Sequence, residues 1–217
     1  MNRPLLVTDC DEVLLHMVGP FGEWLGVAHD VDFALDHHDF GRALTRRSDG
    51  SVLAAEEVWS LLDGFFATEM ARQTPVPHAI EALGAIGEVA DIVVLTNLKD
   101  QCHAGRVAQL AAHGIRHRVV CNQGPKGPPL ARLLAEMAPP VAAFVDDLPQ
   151  HHESVAETTP HVHRLHMVAE PRMAVHVAPA AHAHARIDDW RTAEGWLIER
   201  LAGGPRARLT RPPGPRP

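Results

Sequence analysis

Four short apolar runs recur along the chain: PLLVT (4–8), ADIVVLT (90–96), RHRVVC (116–121) and VAAFV (141–145). Each has the length of a strand, is rich in Val, Ile or Leu, and is nearly continuous rather than alternating. That is the pattern of strands buried on both faces of a parallel sheet. A fifth segment, HVHRLHMV (161–168), alternates and predicts an edge strand. Between the runs the apolar spacing becomes helical: 77–88, then 98–114 with Gly114 as a C-cap, then 128–137 opening on prolines, then 148–157. Strand and helix alternate, which predicts an α/β, Rossmann-like three-layer sandwich around a central parallel sheet with right-handed crossovers.

The interval 17–74 breaks this rhythm. It holds FGEWLGVAHDVDFALDHHDF, a turn-like RRSDGSV (46–52) and a helical AAEEVWSLLDGFFATEMA (54–71). An insertion after the first strand would sit over the strand ends as a small, mainly helical cap. The expected organisation is a core of 1–16 and 75–202, a lid of 17–74, and a Pro/Gly/Arg-rich disordered tail, 203–217. Trp24, Trp59, Phe65 and Phe66 have helical spacing and are expected to pack the lid rather than to form a binding surface.

Charge narrows the partner. The chain has a formal charge of −7, although its last fourteen residues carry four Arg and no acid, so the rest is more acidic still. Nucleic acid, which needs basic surface, is not the expected partner. No apolar run approaches a membrane span and no secretory leader is visible. Three scattered cysteines (Cys10, Cys102, Cys121) fit free thiols in a reducing compartment. Cytoplasmic location is the expectation.

The reactive-looking residues cluster where an open parallel sheet binds ligands, beyond the carboxyl ends of its strands. The first strand ends in Asp9-Cys10-Asp11, the second in Thr96-Asn97, the fourth in Asp146-Asp147. Lys126 lies in the NQGPKGPP loop ahead of the fourth. Side chains two apart on an extended segment point the same way, so Asp9 and Asp11 repel each other unless a cation or a reaction uses them. Of the 20 cationic side chains only Lys99 and Lys126 are lysines, and a compact ammonium suits a tight phosphate site better than a guanidinium fork.

This ordered set resembles the haloacid dehalogenase-like superfamily of phosphohydrolases, over residues 5 to about 150. The family writes DxD after the first strand, Thr or Ser after the second, a later Lys, and an acid pair after the fourth. The resemblance implies hydrolysis of a phosphate monoester of a small metabolite. Asp9 would be the nucleophile, forming an aspartyl-phosphate, and Asp11 the general acid/base. Thr96, Asn97 and Lys126 would bind the phosphate, Thr96 helped by the N-terminus of the following helix. Mg²⁺ would be held by Asp9, the Asp11 carbonyl and Asp146, with Asp147 holding a bound water or orienting Lys126. The second Asp disfavours dehalogenation, which has no leaving oxygen to protonate.

One position departs from the family. Glu12 stands where a Gly normally makes a tight turn, so it either adopts that turn with strain or points into the lid entrance. Two other readings compete: a catalytically silent binding or regulatory protein of the same fold, and a His-rich transition-metal binder. The second draws on the sixteen histidines, above all HVHRLH (161–166) and HAH (182–184), otherwise read as surface residues. His151 and His152 are expected near the site mouth, while His37 and His38, with Asp36 and Asp39, would approach the substrate from the lid.

Overall fold

The computed structural model describes residues 2–35 and 42–203. Asp36, His37, His38 and Asp39, and the tail from residue 204, lie outside the described residues.

Six parallel strands form one sheet in the order β5-β4-β1-β6-β7-β8. They are β1 (Leu5–Thr8), β4 (Asp91–Thr96), β5 (Arg118–Cys121), β6 (Ala142–Asp146), β7 (His163–His166) and β8 (Ala185–Arg186). The continuous apolar runs have the predicted cause. Leu6, Val94, Ala143 and Val145 face one hydrophobic core, while Leu5, Val7, Val93, Leu95, Ala142 and Phe144 face the other. Helices α3 (Ala79–Val89) and α8 (Trp190–Leu201) cover the first face. Helices α5 (Gly127–Met137) and α6 (Pro149–Thr158) cover the second. The result is three layers, with α4 (His103–Ala112) adding Leu110 to the first.

Two expectations about the far side of the sheet are corrected. The 161–168 segment is not an edge, because β8 pairs outside β7. All four residues of β7 are buried, among them His163 and His166, so these histidines are not surface residues. Alternation misled because buried imidazoles read as polar positions. Helix α8 carried no sequence expectation at all, yet its Trp190 is fully buried and donates from Nε1 to the Val13 carbonyl at 2.7 Å.

Between β1 and α3 lie α1 (Val18–Ala28), the antiparallel pair β2 (Val31–Phe33) and β3 (Leu44–Arg46), and α2 (Ala55–Thr68). They share a third core in which Phe21, Trp24, Leu25, Leu62 and Phe65 pack together. Exposed Lys99 reaches across from the loop after β4 to Asp63 of α2, at 2.5 Å. It ties the insertion to the sheet and takes no part in the cluster around Asp9.

The position of Lys126 is set by close helix packing. Gly127 opens α5 against α6, and a Cβ there would stand 2.3 Å from the Ser154 carbonyl oxygen and 2.4 Å from Thr158 Oγ1. Backbone at that distance cannot yield cheaply. Gly127→Ala is expected to lower stability by about 1–3 kcal/mol, read as a reduced urea midpoint. A midpoint equal to wild type would show that α5 and α6 separate freely.

Candidate active site

The order of the sheet puts β1 at its topological switch point, with β4 on one side and β6 on the other. Registered pairing of Thr8 with Val145, and a 2.9 Å bond from the Asp9 amide to the Val145 carbonyl, bring Asp9 beside Asp146. Single carboxylate oxygens of Asp9, Asp146 and Asp147 lie within 4.8 Å of one another. Lys126, fully buried, places Nζ 2.7 Å from Asp9 Oδ1 and 2.7 Å from Asp146 Oδ2. The Asp146 contact is a hydrogen bond. The Asp9 contact is a close ion pair. Asp146 Oδ1 accepts from the Leu148 amide at 2.9 Å, which fixes its rotamer.

Electrostatics separate the three acids. Burial pushes the Asp9 carboxyl up to about 7, with Lys126 opposing and Asp146 and Asp11 reinforcing the rise. Asp147 is raised well above the usual carboxylate range by burial and by Asp146 and Asp9. Asp146 is held below it because Lys126 and its hydrogen bond outweigh burial. Ionising all three carboxylates against one ammonium would leave an excess of negative charge that a cation would offset. The all-oxygen donor set suits a hard divalent cation such as Mg²⁺.

Several expected placements are not met. Lys126 is oriented by Asp9 and Asp146 rather than by Asp147. The Asp11 carboxylate, from which no metal contact was expected, stays outside the metal-competent cluster. It receives both oxygens' contacts from Arg106 Nη2 (2.8 and 3.0 Å), a bond from Gln73 Nε2 (2.7 Å), and a longer one from Thr96 Oγ1 (3.3 Å). Thr96 is fully buried with its hydroxyl turned to Asp11. In chain order it is followed by a 3₁₀ turn at Asp100–Cys102 that runs into α4. Asn97 does line the cavity, bonded to the Gly124 carbonyl at 3.0 Å and to His151 at 3.3 Å.

Arg106 and Gln73 were not found from sequence. Arg106 is one of many arginines and Gln73 carries no motif; only the fold shows that Arg106 is fully buried against Asp11 and Cys10 Sγ (3.1 Å). Its guanidinium also lies 5.7 Å from the centre of the Phe66 ring of α2.

Glu12 takes the tight turn. Its φ of 57° is left-handed, a conformation that costs a non-glycine residue about 1–3 kcal/mol. Its Oε1 accepts from the Met17 and Val18 amides (2.5 and 2.7 Å), so the carboxylate caps the N-terminus of α1. Oε2 is buried with no hydrogen-bond partner, and burial raises the group to about 7.

The histidines brace the acid pair from below. His152 Nε2 contacts the Asp146 carbonyl at 3.0 Å and His166 Nε2 the Asp147 carbonyl at 2.8 Å. His152 is fully buried and not at the site mouth; His151 does line the cavity. Among the described residues the aspartate cluster is the sole group with metal-ligand spacing, and no histidine belongs to it.

A cavity of about 860 Å³ opens over these residues, between the sheet ends and the insertion. Trp59 and Phe66 line it, correcting the expectation that they only pack the lid. A second depression of about 880 Å³ lies alongside, bounded by Asp63, Lys99 and Glu157, and reaches none of Asp9, Asp11, Asp146 and Asp147. Among the described residues no helix is long and apolar enough to cross a membrane.

No family model and no curated protein matches the sequence. Solved structures do match the fold. A haloacid dehalogenase-like family hydrolase from Xanthomonas campestris aligns with a TM-score of 0.55 at 15 % identity, over 93 % of this chain and 97 % of its own. One from Streptococcus pneumoniae reaches 0.59 at 12 % identity, over 88 % and 97 %. YfnB from Bacillus subtilis, solved bound to magnesium, gives 0.55 at 9 %, over 91 % and 99 %. Across nearly its whole length, the chain has the Rossmann-like α/β fold of the haloacid dehalogenase-like hydrolases.

Proposed function

We propose that the protein hydrolyses a phosphate monoester of a small metabolite, with Mg²⁺, through an aspartyl-phosphate on Asp9. The observation that carries this reading is the Lys126 ammonium bridging Asp9 and Asp146 beneath an open cavity. A carboxylate oriented by an ammonium at the floor of an open cavity is placed to act as a nucleophile.

The chain's own groups divide the work. Asp9 attacks phosphorus while the bond to the alcohol oxygen breaks, and Lys126 offsets the charge gathered on the transferring group. Asp11, turned away from Arg106, gives a proton to the departing alkoxide and later takes one from the water that cleaves the acyl phosphate. Arg106, Gln73 and Thr96 hold Asp11 between turnovers. Asp9, Asp146 and Asp147 would hold the Mg²⁺, which supplies the positive charge that lets a phosphate approach three carboxylates.

Phosphate release from a panel of monoesters, assayed with Mg²⁺ and with EDTA, tests the reading. Metal-dependent release from at least one ester is expected; none from any would reject it.

The metal's place has a separate test in pH. The folded protein holds a proton on Asp9 up to about pH 7, whereas the unfolded chain releases it near 3.8. This raised carboxyl contributes stability below the lower value, and that contribution is lost as pH climbs through the upper one. A cation takes the proton's place. Stabilisation by Mg²⁺ is thus expected to be small at pH 5 and to grow toward pH 8, reaching about 2–3 kcal/mol at a hundredfold excess over Kd. An equal melting shift at both pH values would remove the aspartates as its site.

A further inference from the structure

The cavity above Asp9 differs at its two ends. Its floor is charged, with Asp9, Asp11, Glu12, Asp147 and Lys126. The insertion side is apolar, with Val18, Phe33, Val58, Trp59, Leu62 and Phe66. The opposite wall, from residues 173–181, adds Met173, Val177 and Pro179. At about 860 Å³ the space is near the upper end of the range for small-molecule sites, roughly 300–1,000 Å³. A phosphate group fills only its floor, and the alcohol half of the ester must occupy the rest.

Charge decides what that half is. Lys126 is the sole Lys or Arg lining the cavity among the described residues, and two carboxylates already engage it. Glu12 adds a buried carboxylate oxygen without a hydrogen-bond partner. The remaining basic groups are His151, which burial keeps toward its neutral form, and His176. A second anionic group on the substrate would lose its water against apolar side chains and carboxylates, with no Lys or Arg left among the described lining residues to receive it.

We infer that the substrate is a phosphate monoester of an uncharged, largely apolar alcohol, aromatic or branched, and that esters carrying a carboxylate or second phosphate are refused. The inference rests on the reading of Asp9 and Lys126 as the phosphate end. The alcohol half lies against α2, with Trp59 at the rim, where the indole is 66 % exposed.

Two phosphonates separate the possibilities. Phenylphosphonate and phosphonoacetate share the phosphate-like end and differ in the remainder, apolar in one and anionic in the other. Calorimetric titration of the Mg²⁺-loaded protein at pH 8, above the usual imidazole range, is expected to give phenylphosphonate a Kd at least about tenfold lower. In Trp59→Arg, a change at an exposed position, the ratio is expected to shift toward phosphonoacetate by about tenfold with the circular dichroism unchanged. Equal or tighter binding of phosphonoacetate by the wild type, a ratio unmoved in Trp59→Arg, or binding of neither would each overturn the inference. Phosphate release from phenyl phosphate and phosphoglycolate, run in parallel, keeps it apart from the hydrolase reading. The expected binding order with no release from either ester rejects hydrolysis alone. Release with phosphoglycolate preferred rejects the apolar alcohol alone.

Discussion

Asp9→Asn is expected to lower turnover by about 10⁴-fold or more while the protein stays folded. The amide is isosteric, so the Asp9 site keeps its shape, and the backbone bond from residue 9 to the Val145 carbonyl is untouched. What disappears is the only group in the proposed mechanism able to form an acyl phosphate. Stability should move little or rise, because burial already disfavours the charged carboxyl that the change removes. Single-turnover phosphate release, together with a thermal melt, reads both effects. Turnover within tenfold of wild type would show that phosphorus is attacked by something other than residue 9.

Lys126→Met is expected to damage both fold and function. Asp9 and Asp146 are buried, and Lys126 is the ammonium that both contact. Removing one partner of a buried ion pair typically costs about 3–5 kcal/mol, because the remaining charge stays desolvated. The loss should shrink below about pH 5, where Asp9 holds a proton and needs no counter-charge. Lys126→Arg retains the charge but not the fit. The side chain is enclosed, and Gly127 next to it is packed against the Ser154 carbonyl, so the planar guanidinium has no room to lie between the two acids. Urea unfolding at pH 5 and pH 8, alongside phosphate release, checks the pair of variants. A Lys126→Arg protein with wild-type turnover would show that point charge alone suffices.

Most of the sheet could be read in advance for a simple reason. β1, β4 and β6 are buried on both faces, so burial makes their central residues apolar and leaves polar ones to the strand ends. Lys126 was visible because the rest of the chain writes its cations almost entirely as Arg. The histidines misled. In His152 and His166 the ring serves as a buried hydrogen-bonding brace for the carbonyls of Asp146 and Asp147, and spacing cannot distinguish that from a solvated surface or a metal ligand. Glu12 was legible as an anomaly but not as a helix cap, because the α1 amides it accepts come from residues whose helical start carries no sequence signal.

By itself, the order of residues determined the layered α/β class, the strand ends at which the acids gather, and the identity of the one lysine among them. Those properties follow from local rules, since burial dictates apolar runs and strands deliver their last residues to a common edge. Tertiary structure alone decided that Asp11 rests against Arg106 rather than beside the metal-competent aspartates, that Thr96 faces Asp11, and that the described part of the insertion lines the cavity with apolar side chains. Each of these depends on which side chains, distant along the chain, are pressed together in a space closed to water, where a charge must find its partner or not be there.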